Sequence, residues 1–128
     1  MSIPTLTPHQ IEKLTRKAEK YIKLLDKIKN VDIFYAETKQ KVEASLFLRE
    51  LDSFVRISTT LIAADGANAQ FTRLDQNTEQ YKNLLKNETF IGPTLVFGKP
   101  YFTVYQPFWT SGSINERVLL ITFIGIPL

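Results

Sequence analysis

Apolar residues in the first thirty positions recur at spacings of three and four: Ile11, Leu14, Ala18, Tyr21, Leu25 and Ile28. Lys13, Arg16, Lys17, Lys20, Lys23 and Lys27 fill the opposite side. That period predicts an amphipathic helix. Thr7-Pro8-His9-Gln10 supplies its start. Thr7 can cap, Pro8 suits the first helical position, and Gln10 follows three after the cap, as in a capping box. The helix should run to Lys29 or Asn30, a length of about 33 Å. Two readings of its apolar stripe stand: packing on a sheet, or a seam that pairs with a second chain.

Beyond residue 30 the period shortens. Residues 31–36 form a short apolar run, read as a strand or an extended link, and residues 42–48 form a second β-like run. Residues 49–52 turn the chain back into 53–61. Strict alternation there puts Phe54, Arg56, Ser58 and Thr60 on one face and Val55, Ile57, Thr59 and Leu61 on the other. Ala64-Asp65-Gly66 is a turn, and 68–74 a loop or short strand. Asp75 looks like a helix cap ahead of a helix over 78–86. Residues 87–93 lead into a strand over 94–97, and Gly98-Lys99-Pro100 turns it. Tyr101, Thr103 and Tyr105 then alternate with Phe102 and Val104, the period of a strand with two distinct faces. Pro107 fits only where that strand reaches an edge or ends. After a turn at 111–113, residues 117–126 are almost all apolar, so this last strand should lie centrally. The sum is α+β: a long N-terminal helix, about five antiparallel strands and one inserted helix.

Composition narrows the classes. The chain has 128 residues, 44% hydrophobic and 23% charged, as expected of one globular domain with its own core. The net charge of +3 hints at anionic ligands and supports nucleic acid poorly, because the lysines are not interleaved with aromatics. No cysteine is present, which removes disulfides, thiolate metal sites, cysteine nucleophiles and covalently attached haem. The first ten residues lack an apolar run, so no signal peptide is expected. The apolar stretch 118–128 is too short to span a bilayer. Its abrupt stop at Pro127-Leu128 suggests a piece of a longer protein.

The chemistry of catalysis is hard to place. The glycines are scattered singly, so there is no phosphate loop. His9 is the single histidine and falls in the first helical turn, away from the hydroxyl-rich strands. Neither a cofactor nor a metal is expected, and an enzyme is not the favoured class. The strand 101–105 turns two phenols and a threonine hydroxyl to one side. It either lines a wet, selective cavity or supplies core tyrosines with their hydroxyls at the rim. Arg56 is either an exposed arginine or a guanidinium held for a carboxylate.

The run Phe54-Val55-Arg56-Ile57-Ser58-Thr59-Thr60, then Asp65-Gly66, Thr72-Arg73-Leu74, Gly92, Phe97-Gly98-Lys99-Pro100-Tyr101, Tyr105-Gln106-Pro107 and Ile124-Gly125-Ile126-Pro127 resembles the Cache family. It is similar to the single-Cache, PAS-like extracytoplasmic sensor domains of bacterial methyl-accepting chemotaxis receptors and sensor kinases. The likeness spans roughly residues 42–127. Where the family often has Gly-Thr, this chain has Phe71-Thr72. The resemblance implies one sensor domain over 1–128, a periplasmic or extracellular location, a membrane-anchored parent and a homodimer through the first helix. It implies a small-molecule ligand, taken here to be a carboxylate, with Arg56, Ser58, Phe71, Lys99, Tyr101, Thr103 and Tyr105 around it. In that reading Arg56 and Lys99 meet the carboxylate, the tyrosine hydroxyls orient it and Phe71 closes an apolar wall. The alternative is a ligand-free dimerisation and transmission module of a kinase or cyclase receptor.

Overall fold

The computed structural model describes residues 2–109 and 119–128. Helix α1 spans Pro8–Ile28, with both halves of the Thr7/Gln10 capping box formed. Lys29 ends it in the left-handed region at φ 57°, its N–H bonded to the Leu25 carbonyl. The buried stripe is Ala18, Ile22 and Leu25, while Ile11 stays 40% exposed. The apolar face therefore packs on the chain's own sheet along most of its length.

Residues 31–36 are not extended. Val31–Glu37 is a second helix, α2, and the expectation of a strand or link there is corrected. Asn30 caps it, accepting from the Ile33 N–H at 3.0 Å, and Val31 and Phe34 bury one side. The cap and that spacing of three outweigh the β preference of Val and Ile in so short a run.

Strands β1 (Glu43–Glu50), β2 (Ser53–Thr59), β3 (Phe90–Val96), β4 (Lys99–Trp109) and β5 (Leu119–Pro127) form one antiparallel sheet in the order β2-β1-β5-β4-β3. Helix α3, Glu79–Leu85, is the insertion expected between β2 and β3, capped by Thr78 rather than by Asp75. The apolar last strand lies at the centre of the sheet, as its composition predicts. Strand β3 begins at Phe90, earlier than the pattern suggested, and carries Pro93 on an edge strand, where a missing N–H is tolerated. Pro107 sits past Tyr105, the last β4 residue paired with β3, so β4 has a single neighbour there. The turn expected at 111–113 lies outside the described residues.

The alternation in β4 sorts the core into two layers. Phe102 and Val104 pack with α1 and α2 against Ala44, Ile124 and Ile126. Tyr101 and Tyr105 face the other way, against Phe47, Phe54, Phe123, and Tyr81 and Leu84 of α3. Residues 69–74 run beside the outer edge of β2, with Phe71 N–H on the Arg56 carbonyl and Arg56 N–H on the Thr72 carbonyl. That pairing covers a sheet edge that would otherwise stay open.

Candidate functional site

The α3-side face of the sheet gathers the polar groups. Arg56 is 4% exposed on β2, directly across from Phe47 on β1. Its guanidinium carbon lies 4.7 Å from the Phe47 ring centroid and 4.9 Å from that of Phe97. Nη1 donates to Thr72 Oγ1 at 3.0 Å, and that hydroxyl donates to the Ala69 carbonyl at 2.6 Å. Nε is buried with no partner among the described residues. Among the described residues no carboxylate pairs with this arginine. Burial pulls its pKa down, and Tyr105 beside it works the other way. An arginine nevertheless keeps its charge in a protein. Rings cover the faces of the guanidinium and leave its N–H edge to meet an acceptor.

Tyr105 is fully buried beside this cation. Burial pushes its phenol up to about 12, with Arg56, Gln80 and Thr94 opposing. Thr94 Oγ1 lies 3.2 Å from Thr103 Oγ1, which donates to the Gly92 carbonyl at 2.8 Å. Ser45 and Thr59 share a 2.6 Å hydroxyl contact on the same face. A buried guanidinium, a phenol, an amide and four hydroxyls thus share one apolar layer. An apolar lining with a few placed polar groups is the composition that small-molecule sites use.

The expected site residues divide. Arg56, Thr103 and Tyr105 are buried on this face, and Tyr101 joins them nearer the sheet's end at 8% exposure. Ser58 does not. A β-bulge between Leu46 and Phe47 leaves Ile57 unpaired, so Ser58 sits opposite Leu46, on the helix-packed side, and Thr59 takes the inward position instead. Lys99 is exposed at the start of β4, three strand spacings from β2, roughly 14 Å across the sheet. It and Arg56 therefore do not clamp one carboxylate. Phe71 is 70% exposed at φ 69° and closes no wall in this arrangement.

Five residues around the cation or its neighbour Tyr105 escape a sequence reading: Phe47, Thr72 and Phe97 at Arg56, Gln80 and Thr94 at Tyr105. Gln80 had a usable cue, since it lies four before Leu84 on the buried side of α3. Phe97 had a subtler one. Phe97 and Gly98, at φ 50° and 77°, link Val96 to its partner Lys99 as a two-residue hairpin turn. Such a turn favours Asn-Gly. A phenylalanine held there is strained by about 1–3 kcal/mol, and its ring is what covers Arg56.

A long N-terminal helix, an inserted helix and a five-stranded antiparallel sheet of this order, with a polar cluster on one face, define a PAS-like sensor architecture. The model of the Cache 3/Cache 2 fusion domain matches residues 10–128, and the chain belongs to that family. Cache domains serve as extracellular sensor modules of signal-transducing membrane proteins and in general bind small molecules without transforming them. No curated protein and no solved structure matches the chain closely enough to be counted as a relative. Among the described residues no helix is long and apolar enough to cross a membrane.

Proposed function

We propose that this domain is the periplasmic sensor of a bacterial chemotaxis receptor and that Arg56 binds a small organic anion, most simply a carboxylate. The observation that carries this reading is the buried guanidinium, with an unpartnered Nε and no carboxylate paired to it among the described residues. Removing an ion from water costs several kcal/mol, and a carboxylate held edge-on would offset that cost. Tyr105, Thr103 and Gln80 supply groups to orient it, and Phe47 and Phe97 lie against the guanidinium. Tyr101 and Lys99 form the outer rim, while Ser58 and Phe71 stay outside it. The parent is membrane-anchored, and a dimer would use the end of α1 around the exposed Ile11. Bound ligand shifts the signalling equilibrium only by its difference in affinity for two states, commonly about 1–3 kcal/mol.

A ligand-free transmission module is the second reading. It is favoured by the chain's own phenyl rings lying against the guanidinium. Calorimetric titration of acetate, propionate, pyruvate and succinate into wild type and Arg56→Ala separates the two. Binding by wild type and loss in the variant are expected. Heat from none of them, or equal binding by the variant, favours the module.

A further inference from the structure

A second group of polar residues occupies the opposite end of the same face. Glu43 opens β1 and pairs across with Gly125 of β5, which in turn pairs with Thr103 of β4. The absence of a Cβ at Gly125 leaves room for Tyr101, whose ring carbon would stand 3.2 Å from one. Thr60 donates its hydroxyl to the Glu43 carboxylate and accepts from the Ala44 N–H at 2.9 Å. Lys99 of β4 acts on Glu43 with opposite charge, and Tyr35 of α2 and Tyr101 of β4 are the neutral acids that feel its charge. No other titratable group acts on it from the elements packed there among the described residues. Glu43 thus joins α2, which packs on the far side of the sheet, to the face that carries Arg56.

We propose that Glu43 is a proton sensor that tunes anion binding at Arg56, opposing the anion while its carboxylate is charged and permitting it once protonated. The proposal rests on the Arg56 reading. Glu43 lies four residues along β1 from Phe47, the partner of Arg56, about 13 Å at about 3.3 Å per residue. Across an apolar layer a unit charge at that distance still changes an anion's affinity several-fold. Half-burial raises the carboxyl's pKa against the smaller opposing effects of Thr60 and Lys99, so protonation falls above the ordinary carboxylate range. The proton arrives at the carboxylate oxygen that Thr60 serves. Thr60 then turns its hydrogen to the Ala44 carbonyl, 3.3 Å away, and the charge-assisted bond is lost.

The experiment uses pyruvate, which stays ionised throughout. Its affinity is measured by calorimetry at pH 5 and pH 7.5 for wild type, Glu43→Gln and Thr60→Val, alongside a carboxyl-carbon NMR titration of the ligand-free protein. Wild type should bind tighter at pH 5 than at pH 7.5. Glu43→Gln should bind equally at both values, at the acid level. Thr60→Val should move the Glu43 titration to still higher pH. A Glu43→Gln variant that keeps the wild-type pH dependence overturns the sensor, and so does a Glu43 carboxyl titrating at its ordinary value. If wild type binds none of acetate, propionate, pyruvate and succinate at either pH, the Arg56 reading falls, and the tuning of that site by Glu43 falls with it.

Discussion

Arg56 and Phe47 are a cross-strand pair, and the pairing lays the guanidinium on the phenyl ring, 4.7 Å from carbon to centroid. This contact exists because of the bulge one residue away. Regular pairing from Leu46 and Ser58 would set Ile57 opposite Phe47 and turn Arg56 to the other face. A single extra residue in β2 thereby decides that the cation is buried among aromatic rings.

Replacing Arg56 by Met should leave the free protein's stability unchanged or raise it by about 1 kcal/mol. With no counter-ion among the described residues, this buried charge contributes little, and Met keeps the apolar stem. Carboxylate binding should vanish in the same variant. Urea unfolding and calorimetry on one preparation check both, and a loss of several kcal/mol would show that the guanidinium holds the fold together.

Tyr105 gives the domain an alkaline limit. Its phenol ionises near pH 10 in the unfolded chain and at about 12 when folded, so the neutral form favours folding. That stability is complete below pH 10 and is lost as pH rises through about 12, a difference of about 3 kcal/mol. Tyr105→Phe should flatten this part of the stability profile between pH 9 and 11, measured by denaturant unfolding at each pH.

Gly125→Ala should destabilise by about 1–3 kcal/mol. The added Cβ would stand 2.8 Å from the tip of the Phe123 ring and 3.2 Å from Tyr101. Phe123 cannot swing aside, because it is fully buried with its ring centroid 4.9 Å from that of Tyr105. Thermal unfolding reads the loss, and additional Phe123→Leu should restore part of it.

Thr7→Ala removes the side-chain half of the α1 cap and should cost about 1 kcal/mol, while Thr7→Ser should cost almost nothing. Helix α1 packs on β4 and β5, so the loss should appear in the global unfolding transition rather than as local fraying.

The chain by itself determined much of the architecture. Helix α1, its cap, the two faces of β4 and the central place of β5 follow from periodicity and apolar content, which are local properties of the sequence. The family was legible in the order of short motifs from Phe54 to Pro127. Helix α2 was not, because a seven-residue segment has too few periods to tell helix from strand. The site was legible only in part. Arg56, Thr103 and Tyr105 follow from alternation, but Ser58 was misplaced because a bulge belongs to a pair of strands and not to one of them. Phe47, Phe97 and Gln80 reach Arg56 or its neighbour Tyr105 from three separate elements, and Lys99 is set apart from it by two intervening strands. Only the assembled sheet fixes those distances, since burial and charge pairing arise between segments that the sequence holds far apart.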